Sequence, residues 1–145
     1  MKVGILFALA IAVTGQVLYH VTQKSVSPGA HPVVSLIVFY VVAALATLPL
    51  FLLFPLEGAL SAELGKLNWA VIGVALSIVL IEIGFLLAYR AGGELSSAFV
   101  TTAAVVAIST LVIGAAFFGE SLSAAKIGGV ALCLGGIALL TSKTT

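Results

Sequence analysis

A carboxylate interrupts one of the most apolar stretches of this 145-residue chain: "LSIVLIEIGFLLAYR", from Leu76 to Arg90, carries Glu82 near its middle. A second polar group sits in "GQVLYHVTQK", where Gln16, Tyr19, His20 and Gln23 fall at i, i+3, i+4 and i+7. That spacing is one face of an α-helix. Thr101 and Thr102 form a third group, early in another apolar run. Together they offer hydrogen bonding, proton exchange at Glu82, and a proton relay at His20, whose imidazole titrates near neutral pH. No metal-spaced His/Cys/Glu cluster, nucleophile motif or phosphate loop occurs, so an enzyme, a bound metal and a cofactor are not expected.

What these groups mean depends on the solvent around them. The chain is 62% hydrophobic and only 8% charged, with a mean hydropathy of +1.34. A soluble domain carries about a quarter charged residues, because its core must be covered with surface that water accepts. The apolar residues also run in long blocks rather than in one-sided stripes, which excludes a soluble helical domain. The sequence is that of an all-α integral membrane protein. Its net charge of +1 gives no footprint for nucleic acid. The single cysteine, Cys133, lies in an apolar run and has no second cysteine in the chain to pair with. "MKVGILFALAIAVTG" has the makings of a leader, but its apolar run continues to Val21, which favours a retained spanning helix.

Five apolar blocks, at about 3–23, 33–54, 68–90, 95–118 and 124–142, are each long enough at 1.5 Å per residue to cross about 30 Å of hydrocarbon. "SVSPGAHP" separates the first two, with Pro32 suited to a first helical turn. Pro49 should kink the second span or mark its end. "PLEGALSAELGK" precedes the third and reads as a short interfacial helix. "AGGELSS" precedes the fourth, its glycines suiting a helix C-terminus and Ser96 or Ser97 an N-cap. "GESLSAAK" precedes the fifth.

Five spans put the termini on opposite sides. Lys2, Lys66 and Lys126 then fall on one side and Lys24, Arg90 and Lys143 on the other. A Lys/Arg excess on the cytoplasmic side sets orientation, and here the two sides balance. Either local effects or the first helix fix one orientation, or copies insert both ways and pair antiparallel.

A charged side chain deep in a span costs roughly 2.5–3.5 kcal/mol on insertion scales. Glu82 lies about 4–5 Å beyond the midpoint of its span and Gln16 a similar distance beyond that of the first, both towards the same side, with His20 about 10 Å past centre. Thr101 and Thr102 enter the fourth span from that side. Two readings compete for each group. Glu82 lines a cavity that takes a substrate or a proton, or it is hydrogen-bonding glue between helices. His20 and Gln23 line the same cavity, or they mark the headgroup boundary. The threonines join them, or bond their own helix backbone. Tyr19, Tyr89 and Trp69 also suit a membrane interface, and His31 lies in the first loop. Small residues mark packing faces: Ala103, Ala107, Gly114 and Ala115 in the fourth span, and the pairs Gly128/Gly129 and Gly135/Gly136, one heptad apart, in the fifth.

The tail "SSAFVTTAAVVAISTLVIGAAFFGESLSAAKIGGVALCLGGIALLTSK" resembles the EamA domain of the drug/metabolite transporter superfamily. The similarity is carried by a small-residue fourth helix ending in "FFGE", the short "SLSAAK" connection and a Gly-rich last helix. Helix number and order extend the resemblance over the whole chain, whereas motif-grade similarity covers about the last 50 residues. Many relatives have a proline midway along the fourth helix. None occurs here between Ser96 and Glu120.

The resemblance implies a five-helix half of a ten-helix inverted-repeat assembly, completed by an antiparallel homodimer. It also implies a scaffold and dimer seam made by the last two helices, with the first and third lining the path. Inverted repeats with a site near the midplane are a general transporter design. The expectation is therefore a multi-pass membrane protein, in the bacterial or archaeal cytoplasmic membrane if prokaryotic. It would export a small metabolite, amino acid or amphipathic compound, with membrane lipid around it and no nucleic-acid partner. The expected substrate and proton site is Glu82 with Gln16, Tyr19, His20, Thr101 and Thr102; the expected seam is Ala103, Ala107, Gly114, Gly128, Gly129, Gly135 and Gly136. The rival expectations are a flippase subunit for a lipid-linked carrier and a non-transporting scaffold or regulatory subunit.

Overall fold

A computed structural model describes residues 3–141. Lys2 and Lys143 of the charge tally, and Ser142 at the expected end of the last span, lie outside them. The described residues form α1 (Val3–Lys24), α2 (Pro32–Thr47), a 3-10 helix (Leu48–Leu52), α3 (Leu60–Gly65), α4 (Trp69–Arg90), α5 (Leu95–Phe117) and α6 (Ala124–Thr141). Four stretches are long and apolar enough to cross a membrane: Gly4–Lys24, Pro32–Leu52, Trp69–Arg90 and Leu95–Phe117. A shorter apolar helix covers Ala124–Leu139. This is the architecture of an all-α, multi-pass membrane protein.

The chain divides into two compact units. One is the helix up to Lys24 together with the chain from Ala91 onward; the other is Ser25–Arg90. In the first, α5 packs on α6 and on α1; in the second, α2 packs on α4.

Local sequence explains the boundaries. Pro32 opens α2, where its missing N–H leaves no helical bond unmade. Pro49 acts as expected: with no N–H and a ring that crowds the Leu45 carbonyl, it ends the α-helix at Thr47. The chain continues as a 3-10 turn, and the N–H groups of Leu53 and Phe54 both bond the Leu50 carbonyl, at 2.9 and 2.8 Å. The expected short helix is α3, closed by Lys66 Nζ bonding Glu63 Oε1 at 2.7 Å. Asn68 Oδ1 takes the Ala70 N–H at 3.0 Å to start α4. After Arg90 the chain turns at Gly92, whose φ of +91° suits glycine.

The start of α5 differs from the sequence reading. Glu94, not Ser96 or Ser97, is the N-cap, and it makes no side-chain cap bond. The Ser97 hydroxyl instead donates weakly to the Glu94 carbonyl at 3.4 Å. The helix begins early because the Gly92 turn has already set the chain's direction. At the far end Gly119, at φ +64°, folds the chain back, so the N–H groups of Phe118 and Glu120 share the Gly114 carbonyl at 3.1 and 3.0 Å.

Hydroxyls inside the spans bond their own helices. Thr14 donates to Ala10 O at 2.9 Å, Ser77 to Gly73 O at 2.8 Å and Ser109 to Val105 O at 2.8 Å. Each donor is thus satisfied without water, as a hydrocarbon solvent requires. The apolar core among the described residues is small, comprising Leu36, Leu86, Tyr89 and Ala104, whereas Leu80 and Trp69 stay 71% and 81% exposed. That surface suits acyl chains.

Candidate functional site

In the first unit, α1 and the start of α5 enclose a cleft of about 590 Å³. Val13, Gln16, Val17, His20 and Val21 contribute from α1, at the i, i+3, i+4, i+7 and i+8 spacing of one helical face. Leu95, Ser96 and Phe99 contribute from the first turns of α5, with Glu94 at its cap. The two elements are tied at this end by Lys24 Nζ, which donates to the Gly93 carbonyl at 3.1 Å. Lys24 and Arg90 also put positive charge in the last turns of α1 and α4, where the helix dipole favours it.

His20 is 7% exposed and Gln23 is 4% exposed. The His20 ring tilts against Phe99, with ring centres 4.6 Å apart, and meets the edge of Tyr19 at 4.8 Å. An imidazole between two aromatic rings has its orientation fixed by packing. Gln16, about a turn deeper, is exposed to the cleft. The cleft therefore pairs apolar walls of valine, leucine and phenylalanine with a few polar groups, the usual composition of a small-molecule site.

The sequence-predicted residues are distributed as follows. Gln16 and His20 line the cleft, and Tyr19 supports His20 from beside it. Thr101 and Thr102 are exposed and do not figure in its lining. The Thr102 hydroxyl donates to the carbonyls of Ala98 and Phe99, both at 2.9 Å, so its proton stays within its own helix. Glu82 belongs to the second unit, half-buried on α4.

There it lies within electrostatic reach of Tyr40 on α2. Further along the same face of α4, Leu86 is 1% exposed and Tyr89 8%, with the Phe85 and Tyr89 rings stacked at 5.9 Å. Arg90 closes the unit by donating from one guanidinium nitrogen to the Ser27 carbonyl at 3.4 Å.

Among the small residues, Gly114 is buried, but its neighbour is the Glu120 side chain. A Cβ at 114 would stand 3.2 Å from Glu120 Cδ and Oε2. That carboxylate also reaches Lys126 of α6 at 3.6 Å. A methyl group at Gly128, Gly129, Gly135 or Gly136 would meet open space, and Ala103 and Ala107 are exposed. The buried alanine of α5 is Ala104.

Tyr40, Phe99 and Glu94 escaped the sequence reading. Phe99 stands one turn inside α5 (i+4 from Leu95), a spacing that aims it at a helix packed there. Tyr40, within "IVFYVV", gave no local signal at all. No group of His, Cys, Asp or Glu among the described residues has the arrangement to hold a metal ion. Compared with known proteins, the chain matches no family model, no curated protein and no solved structure.

Proposed function

We propose that the chain is a secondary transporter of the drug/metabolite kind: a five-span half that pairs antiparallel with a second copy and exports a small amphipathic metabolite or amino acid. The observation that carries this reading is the α1–α5 cleft, which puts the polar face of Gln16 and His20 inside a helix otherwise built for hydrocarbon. Polar groups at that depth are retained at a cost and mark pathways more often than packing. Its apolar walls would hold the body of the solute, while Gln16 and His20 would take its polar end.

Glu82 is the proton-coupling group in this reading. In an antiparallel pair the two Glu82 carboxylates would stand about 9 Å apart along the membrane normal by helix rise alone, on either side of the midplane. Rocking of the two halves would expose them to alternate sides. The balanced Lys/Arg tally and the open glycine faces of α6 support the pairing.

The test is proteoliposomes under a pH gradient with an internal pH-sensitive dye, challenged with a panel of amino acids and amphipathic amines. Solute-dependent proton movement is expected. Its absence for every panel member, with the chain folded and inserted, would remove proton-coupled transport of these solutes. A second reading, a subunit that carries a lipid-linked molecule, is favoured by the valine, leucine and phenylalanine walls of the cleft. Lipid co-purifying in the cleft, without solute flux, would select it.

A further inference from the structure

Within the second unit, two features place Tyr40 and Glu82 opposite one another. The Arg90–Ser27 contact brings the end of α4 to the start of α2, so the two packed helices run antiparallel. Counting inward from that end, Tyr40 is eight residues beyond Pro32 and Glu82 eight residues before Arg90, a depth of about 12 Å on each helix. One turn nearer the end, Leu36 and Leu86 are both buried, so Tyr40 and Glu82 continue the buried faces of their helices. Glu82 lies within electrostatic reach of the Tyr40 phenol. The Tyr40 hydroxyl oxygen is itself buried and makes no hydrogen bond. A buried hydroxyl in that condition carries a cost that a hydrogen bond to a nearby acceptor would relieve.

We infer that Tyr40 is the positioning donor for the Glu82 carboxylate: when Glu82 releases its proton, the phenol O–H turns to hydrogen-bond the carboxylate and holds it in the membrane interior. The phenol keeps its own proton throughout, and the proton released by Glu82 leaves to solvent. When Glu82 is protonated again, the phenol lets go. The two packed helices carry few other titratable groups. The titratable residue of α2 is Tyr40 itself, with His31 just ahead of the helix. Besides Glu82, α4 carries Tyr89 seven residues on and Arg90 at its end.

The inference deepens the reading of Glu82 as a proton site, and it is tested without transport. The full chain is placed in lipid nanodiscs with carbon-13 at the glutamate side-chain carboxyls. The Glu82 signal is assigned by its loss in Glu82→Gln, then followed across pH. In Tyr40→Phe the Glu82 midpoint should move up by about one unit, a tenfold change, because a donor to the charged form is gone. An unchanged midpoint overturns the inference.

Should Tyr40→Phe fail to fold, 3-fluorotyrosine placed at position 40 alone decides the matter. It is a stronger donor of nearly the same size, and it should move the midpoint down; no movement, or upward movement, overturns the pair. A chain that shows these shifts but moves no solute sinks the transport reading and leaves the pair standing. One that transports with an unmoved midpoint sinks the pair alone.

Discussion

Glu82 and Leu86 stand one turn apart on α4, and the membrane treats them differently. For Glu82 the expected effect of Glu82→Gln is functional: loss of pH-driven solute flux in proteoliposomes with helicity and melting temperature unchanged, since the amide keeps the shape and removes the titration. Equal flux at every pH in the variant would end its coupling role. For Leu86, 1% exposed, the expected effect is structural. Because its neighbours are as apolar as lipid, Leu86→Ala forfeits packing rather than transfer energy, about 1–3 kcal/mol. Leu80→Ala, at a side chain 71% exposed, should leave the detergent-solubilised chain's melting temperature nearly unmoved. A similar loss at both positions would mean that the burial contrast is not what stabilises α4. Glu82 was legible in the sequence, because a lone carboxylate in an apolar run stands out. The place of Tyr40 opposite it was not, since an aromatic among valines reads as membrane filler until the register of α2 on α4 is known.

Helix ends separate what sequence could and could not say about the elements. Pro49 and the glycines before α5 marked boundaries correctly, because both act through their own φ angles and hydrogen-bonding capacity. Ser96 and Ser97 misled as caps, because the turn at Gly92 started the helix ahead of them. Gly114 read as a helix-packing and seam residue, and its close neighbour in the structure is the Glu120 side chain. That contact and the turn at Gly119 yield a prediction of rank. In Gly114→Ala the new methyl presses on the end of an exposed side chain that can swing away, giving up an exposed ion pair with Lys126 worth under about 1 kcal/mol. In Gly119→Ala the backbone at φ +64° must carry a side chain, costing about 1–2 kcal/mol. Thermal unfolding followed by circular dichroism should therefore find Gly119→Ala the less stable; the reverse order would show that Glu120 is held firmly in place.

The whole molecule presents large apolar side chains almost everywhere it is described, and α6 leaves its glycines uncovered. Composition foretold that surface, but no composition says which part meets lipid and which meets a second copy. If α6 forms an antiparallel seam, opposite ends of two copies adjoin. In a Cys133→Ala background, copies carrying Lys126→Cys should cross-link to copies carrying Leu139→Cys, and neither should cross-link to its own kind. Self-cross-linking at Lys126→Cys would indicate parallel copies. The pairing of α1 with α5 has a different consequence, one of timing. The Lys24–Gly93 contact joins positions 69 residues apart, so at about 5–20 residues per second the ribosome needs roughly 3–14 s to deliver the partner. Through that interval the nascent first helix carries an imidazole and two amides without the packing that α5 supplies in the folded chain.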